Sequence, residues 1–428
     1  MPHIHNIVIA GLGTVGSSTI RMIEKNVKIF SLKSNVKIKI IGISAKNKSK
    51  KRGFDKKKYK WFKDPIRMIK EKDVDTVIEL IGGVGIAKKI CYEALKNNKN
   101  LITANKELLA LEGEDLAKLA EDNSVKIGFE ASVAGGIPIV TTLKNSFSGI
   151  KINKITGILN GTSNFILTNM IEENVEFNLS LKKAQELGYA EQQPSNDLNG
   201  LDTLHKIIIL STIAFNTKFE FKKLKCKGIE EINKEVVFFA HKLGYTIKLL
   251  GISYLYNNKI NLSVSPFLIS KKKELAAVNK NLNAIIIDSN TKNKTILLGE
   301  GAGGNATAMS VVSDLMNIKK KEYDTMYGIS YKKRKKLKIS NDFFKKNMFF
   351  IKVKVLNKSG AIAAITTILK NYNISIKNLF QEEINNKIFN VVILTHNCST
   401  KSIDLVMNKI NRCSYIKEKG LILQVLHV

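Results

Sequence analysis

The stretch Ile4-His5-Asn6-Ile7-Val8-Ile9-Ala10 is mostly apolar and β-branched, ends on Gly11-Leu12-Gly13-Thr14-Val15-Gly16, and passes directly into a helical pattern. Strand, G-x-G-x-x-G and helix, in that order, constrain this chain more than any other feature, because each glycine has a separate duty. Gly11 makes the tight turn, Gly13 lets the backbone approach a pyrophosphate, and Gly16 allows the helix to pack close on the strand. The helix start, with Thr14 and Val15 in its first turn, offers free N–H groups and positive potential to the phosphates.

The alternation continues. Val36–Ile43, Val74–Ile81, Asn100–Thr103 and Val125–Glu130 read as further strands, with helices from Thr14 to about Lys25, at Ile86–Asn97 and at Lys106–Asp122. This predicts an α/β, doubly wound Rossmann unit over residues 1–135, a parallel sheet with right-handed crossovers. From Gly136 the pattern becomes α+β. Helices at Pro138–Ser146, Phe165–Glu173, Leu179–Leu187, Leu201–Asn216 and Ala306–Asn317 mix with strands at Ile152–Leu159, Thr246–Tyr256, Lys259–Pro266, Ala284–Ser289 and Lys294–Gly299. We read 136–320 as a second unit with a largely open sheet, its last helix (about 301–320) packing back on the first. Residues 321–348 read as a basic linker, with the aperiodic run KKRKKLKISNDFFKK at 332–346. The remainder, 349–428, orders as strand Phe349–Leu356, helix Gly360–Asn371, strands Ile374–Glu383 and Lys387–Thr395, helix Ser402–Asn411 and strand Leu421–Val428. That is βαββαβ, a small ferredoxin-like domain.

The second strand ends Ile43-Ser44-Ala45-Lys46 and runs into Lys48, Lys50, Lys51 and Arg52, with no carboxylate at its end. A serine and a basic loop suit the 2′-phosphate of NADP better than the ribose hydroxyl of NAD. An ordinary solvated loop is the competing reading, so NAD stays open. Lys106 follows the strand Asn100–Thr103, and ligands of doubly wound sheets bind beyond such strand ends; otherwise it is a surface lysine at a helix start. Glu191, Asp197 and Asp202 lie in a loop, Gly188–Asp202, leading into an apolar helix that carries Lys206. Asp202 and Lys206 are four apart and share a helix face, as an ordinary ion pair or as an acid–base couple. Three acids facing one lysine suit a substrate ammonium plus a proton-transfer group. His205 reads as a structural histidine. Gly301 belongs to a second Gly-rich segment, Gly299–Ala308, which opens a helix and is placed to close over the cofactor by the same helix-end logic.

The net charge of +32 raises nucleic acid or an anionic membrane as partners. The basic runs lack interleaved aromatics beyond Tyr59 and Trp61 and carry no helix-turn-helix or RNA motif, so neither is expected; the charge reads as compositional bias on an enzyme surface. Cys91, Cys226, Cys398 and Cys413 are scattered without a CxxC pair, as reduced thiols are. The longest apolar stretch, Ile207–Phe215, is about half a membrane span, and no secretory leader is apparent, so a soluble cytoplasmic protein is expected.

The glycine fingerprint, LITANKELLA, EASVAGGIPIV, GILNGTSNFILTNM, ELGYAEQQPSNDLNGLDTLHK and GEGAGGNATAMSVVSDL resemble, in order, the homoserine dehydrogenases, and 349–428 resembles an ACT domain. The resemblance implies reduction of L-aspartate 4-semialdehyde to L-homoserine with NAD(P)H, on the path to threonine, methionine and isoleucine. It implies catalytic roles for Lys206 and Lys106, substrate contacts by Glu191, Asp197, Asp202 and the backbone around Gly157, Asn160, Gly161 and Thr162, and a structural sodium ion on Glu130 and the carbonyls of Val133, Gly135 and Ile137. The resemblance leaves open which lysine transfers the proton. It also implies feedback by an effector such as threonine at the ACT domain, and a homodimer or homotetramer. Gln193, Glu300 and Ala306 depart from the family pattern, as does Asn357-Lys358-Ser359-Gly360 at the effector turn. No kinase segment precedes residue 1, so a fused aspartate kinase is not expected. Competing readings are another semialdehyde or hydroxy-acid dehydrogenase, a nucleotide-sensing binding protein, and a nucleic-acid binder.

Overall fold

The structure, a computed structural model, describes residues 3–34, 36–221, 224–318, 325–340 and 346–426. The chain opens with β1 (His3–Ala10), α1 (Thr14–Ser34), β2 (Val36–Ser44), β3 (Lys60–Phe62), α2 (Pro65–Ile69), β4 (Thr76–Glu79), α3 (Ile86–Lys96), β5 (Asn100–Thr103), α4 (Lys106–Asp122) and β6 (Ile127–Gly128). These strands form one parallel sheet in the order β3-β2-β1-β4-β5-β6. The register aligns Ser44, Ala10, Glu79 and Thr103 along one edge, the carboxyl ends where ligands of such sheets bind. Helix α1 runs nine residues past the expected Lys25, because Ile20, Ile23 and Phe30 extend one buried stripe.

The second unit contributes α5 (Ile139–Thr141) with a π turn behind it, β7 (Ile152–Ile158), α6 (Gly161–Glu172), α7 (Phe177–Glu186), α8 (Ser195–Leu198), α9 (Leu201–Phe215), α10 (Lys234–Lys242), β8 (Tyr245–Tyr256), β9 (Lys259–Ser270), β10 (Leu282–Ser289), β11 (Lys294–Glu300) and α11 (Gly304–Ile318). Val311 and Leu315 of α11 join Ile20 and Ile23 of α1 in one apolar cluster, so this helix does pack back on the nucleotide unit. The C-terminal part adds β12 (Lys338–Ser340), β13 (Lys346–Asn347), β14 (Phe349–Leu356), α12 (Ala361–Asn371), β15 (Ile376–Asn385), β16 (Ile388–Thr395), β17 (Cys398–Ser399), α13 (Thr400–Asn411) and β18 (Ile416–Leu426).

Of the elements given above, β3, α2, α8, α10, β12, β13 and β17 lie outside the sequence reading. The expected open sheet extends beyond its own unit. Strand β9 continues past Pro266, and its residues Phe267, Leu268 and Ile269 pair in parallel with Gln424, Val425 and Leu426 of β18. One ten-stranded sheet, β11-β10-β7-β8-β9-β18-β14-β16-β15 with β12 on β9, therefore runs through both units.

The basic linker expected over 321–348 is corrected where it is described. Residues 325–340 are a fitted strap. The Tyr327 ring is buried edge-on against Phe129 at 5.7 Å, and Arg334 lies over that ring at 4.4 Å. Both terminal nitrogens of Arg334 reach Glu114 of α4 at 2.7 Å, and β12 pairs with β9. Single side chains make these contacts, so no sequence period announces them. Residues 319–324 and 341–345 lie outside the described residues. Among the described residues no helix is long and apolar enough to cross a membrane, and all four cysteines are free thiols.

Candidate active site

The cradle at the start of α1 has the form its glycines predict. Gly11 has φ +99°, and a Cβ there would stand 2.5 Å from the Leu80 backbone. A Cβ on Gly16 would stand 2.0 Å from the Gly11 carbonyl, while the space around Gly13 is open. These are the tight turn, the close helix packing and the free approach that a pyrophosphate needs, so the residues present fit a dinucleotide. The loop carrying Gly301 lies alongside. Its carbonyl accepts the Gly135 N–H at 2.9 Å, and a Cβ on Gly304 would press on Ser18 and Thr14 of α1. Arg52 is buried and donates to the Leu12 carbonyl at 3.0 Å, the Lys50 carbonyl at 2.8 Å and the Asn47 carbonyl. It ties the basic loop to the glycine turn, leaving Lys46, Lys48, Lys50 and Lys51 exposed.

Lys106 and Lys206 meet at one carboxylate. Asp202, in the first turn of α9, is 2% exposed. Its Oδ1 lies 2.6 Å from Lys106 Nζ, at the start of α4, and its Oδ2 lies 2.7 Å from Lys206 Nζ, one turn further along α9. Lys206 also donates to the Leu159 carbonyl at 2.7 Å. Asn160, the N-cap of α6, spreads its amide between two acids: Nδ2 donates to Asp202 at 2.9 Å and to Asp197 at 2.7 Å, while Oδ1 accepts the Ser163 N–H. Asp202 and Lys206 are thus more than a solvated i,i+4 pair: both are buried and a third charge joins them.

The surroundings drive these groups apart. Burial opposes ionisation of Asp202, but the Lys206 and Lys106 ammonium groups overcome it and hold the carboxyl well below its ordinary range. Burial pulls Lys206 down from its ordinary value, reinforced by the charge of Lys106. Lys106 is pushed up by Asp202 and stays charged; 43% of its side chain is exposed. Asp197 is pushed up by burial and by the charge of Asp202. Two neighbouring amines with opposed shifts are an arrangement in which one can transfer a proton while the other keeps a fixed charge. Burial lowers His205 to about 4, so it is neutral near pH 7, with its ring 5.3 Å from Phe221.

Other expected residues fall further out. Glu191 is exposed at the rim, and its carboxylate makes no hydrogen bond or ion pair with the described residues. The Thr162 hydroxyl donates to the Tyr189 carbonyl at 2.6 Å, and Gly161 and Thr162 open α6 beside the Asn160 amide. Glu130 is buried, and burial raises its carboxyl; it accepts Val140 N–H, Thr141 N–H and the Thr141 hydroxyl at 2.8, 2.8 and 2.5 Å. The carbonyl of Gly135 accepts the Ser310 hydroxyl and that of Ile137 the Ile139 N–H. Among the described residues no cluster of three or more His, Cys, Asp or Glu forms. The donors at this place are hard oxygens, the class suited to sodium rather than a transition metal. Sequence reasoning missed the amide bridge of Asn160 and the buried Glu79, whose signal was an acid ending the apolar strand Val77-Ile78-Glu79.

A dinucleotide cradle opening beside two lysines that share a buried carboxylate defines a nicotinamide-dependent dehydrogenase. Comparison with known proteins narrows this. The homoserine dehydrogenase family model matches residues 138–316, its NAD-binding domain 11–130, and the ACT domain 349–414. The homoserine dehydrogenase of Bacillus subtilis is 36% identical over 413 residues, covering 95% of both chains, and that of Neisseria gonorrhoeae 36% identical over 405 residues, 93% of each. A solved homoserine dehydrogenase of Thiobacillus denitrificans superposes with a TM-score of 0.92 at 30% identity, covering 100% of this chain and 99% of that one. A hyperthermophilic archaeal homoserine dehydrogenase in complex with NADPH superposes at 0.62 with 25% identity, over 74% of this chain and 97% of that one. The chain belongs to the homoserine dehydrogenase family, as an NAD(P)-dependent oxidoreductase with a C-terminal ACT domain.

Proposed function

We propose that this chain reduces the aldehyde of L-aspartate 4-semialdehyde to L-homoserine with NADPH, with Lys206 as the proton donor. The observation that carries the assignment is the single Asp202 carboxylate shared by Lys106 and Lys206. The bound nicotinamide supplies the hydride. Lys206, lowered by burial, delivers its proton to the carbonyl oxygen as that oxygen gains charge. Lys106, held charged by Asp202, stabilises the same oxygen electrostatically and stays protonated. Asp197, steadied by Asn160, receives the substrate ammonium, with Glu191 as a second carboxylate at the rim. Gly161 and Thr162 present backbone to the substrate.

The absence of an acid after Ser44 and the four exposed lysines beside the glycine turn support NADP over NAD. A sodium ion on Glu130, Val133, Gly135 and Ile137 would act structurally, between the end of the nucleotide sheet and α5; sodium raising the melting temperature would support it. The ACT domain supports regulation by a small effector such as threonine. Exposed Ile296 and Leu298 on the edge strand β11 support association into a homodimer or homotetramer, and free thiols suit the cytoplasm. Lys206→Ala tests the central assignment: most of kcat should disappear while NADPH still binds. Near-wild-type turnover would overturn it.

A further inference from the structure

Glu79 closes β4 and is fully buried. Its Oε1 accepts the N–H groups of Ile81 and Gly82 at 2.7 and 2.8 Å, and its Oε2 accepts the Thr103 hydroxyl at 2.6 Å. Thr103 ends the neighbouring strand β5, and its oxygen in turn accepts the Asn105 N–H at 3.0 Å. Asn105 returns its Nδ2 to the Gly83 carbonyl at 2.7 Å and caps α4 by accepting the Leu108 N–H at 3.1 Å. Lys106 is the first residue of that helix. One carboxylate therefore ties together two strand ends, the loop after β4 and the helix start that carries the active-site ammonium.

The same loop abuts the cradle, since a Cβ on Gly11 would stand 2.7 Å from the Ile81 nitrogen. It turns through Gly82 and Gly83 at φ +82° and +75°, a left-handed path that the Glu79 and Asn105 contacts described above hold. We propose that Glu79, acting through Thr103 and Asn105, is a positioning residue that sets the cradle in register with the Lys106 ammonium. This rests on the reading of Lys106 given above. The chemistry favours a carboxylate: two N–H groups and the Thr103 hydroxyl converge on it, and the Cys91 thiol adds a longer contact to Oε2 at 4.0 Å. A glutamine would turn an NH₂ toward the Thr103 hydroxyl, whose oxygen already accepts from Asn105 and whose proton would then have no acceptor.

The test is steady-state turnover of L-aspartate 4-semialdehyde by the full chain, with NADPH and with NADPH deuterated at its reactive position, for wild type, Glu79→Gln, Thr103→Val and Thr103→Ser. A displaced register slows hydride transfer, and displacement of about 1 Å can cost up to about a hundredfold. Glu79→Gln and Thr103→Val should each lose about tenfold or more in kcat, with NADPH affinity nearly unchanged and a larger isotope effect; Thr103→Ser should behave as wild type. Should Glu79→Gln not fold, the isosteric Thr103→Val carries the test. Wild-type kcat and isotope effect in Thr103→Val would overturn the proposal, as would loss of NADPH binding in parallel with kcat. If wild type itself does not turn over, the functional reading fails and takes this inference with it.

Discussion

Replacing Asp202 by Asn removes the one anion between two ammonium groups and changes little else in shape. At an effective dielectric constant near 20, a charge 2.7 Å from Lys206 Nζ is worth about 6 kcal/mol of attraction. The Asn dipole and the Leu159 carbonyl recover part of it. Breaking one member of a buried pair costs about 3–5 kcal/mol, and the lower figure applies here because Lys106 is 43% exposed and solvent screens its share. Withdrawing that attraction from the charged form of Lys206 lowers its pKa further, adding to what burial already does. The sign is clearest in the direction of homoserine oxidation, where Lys206 must accept a proton and activity rises as pH climbs through its pKa. Asp202→Asn should move that rise to lower pH, reduce kcat, and lower the melting temperature by several degrees. Initial rates of NADPH formation across pH, with a thermal melt of the same preparation, read all three. An unmoved rise with an unchanged melting temperature would refute the idea that Asp202 holds the lysines' protonation states.

Gly16→Ala puts a Cβ 2.0 Å from the Gly11 carbonyl, so NADPH affinity measured by fluorescence titration should fall at least about tenfold, and unaltered binding would contradict the cradle. Arg334→Ala removes a fully buried guanidinium from Glu114 and from the Tyr327 ring; about 3 kcal/mol should be lost, with faster amide exchange in α4 and in residues 325–340. His205 is held neutral, with a pKa of about 4 against an ordinary 6.5. The folded state therefore binds fewer protons than the unfolded one, and stability present above 6.5 is lost as pH falls toward 4, by about 2 kcal/mol at pH 5. In His205→Phe, urea unfolding should show a shallower decline over that window; an identical slope would exclude His205 as its source.

The nucleotide unit was legible because its signals are local: a glycine fingerprint after a strand, and apolar runs spaced by helical patterns. What escaped was decided by distant partners. Nothing near Pro266 announces that β9 will continue, since Phe267–Ile269 are held by Gln424–Leu426, more than 150 residues away. The strap failed to show for a related reason: Tyr327 and Arg334 are two contacts in a stretch otherwise rich in lysine, and their partners Phe129 and Glu114 belong to the first unit. At the site, Asp202 and Lys206 were visible as a pair four residues apart, and Lys106 as a lysine after a strand. That they touch one carboxylate follows only from the packing of α4 against α9. Glu191 shows the limit of nearness in sequence: Asp197 is half-buried at the Asn160 amide, whereas Glu191, six residues earlier, is exposed.

The charge of the chain explains why acids proved the better guide. With 69 lysines and arginines against 37 acids, a lysine at any given position carries almost no information. A buried acid is different, because desolvating a carboxylate is costly unless cations or several N–H and O–H donors meet it. Asp202 selects Lys106 and Lys206, and Glu79 selects Ile81, Gly82 and Thr103. At a less buried site, Glu114 gathers Arg334 and Lys218. Among the described residues the lysines of 46–51 meet no such partner and stay exposed, which is where a phosphate, a ligand that brings its own negative charge, would find them. In a chain this basic, the carboxylates single out a few of its many cations, and those few include the two lysines to which the proposed mechanism gives the reaction.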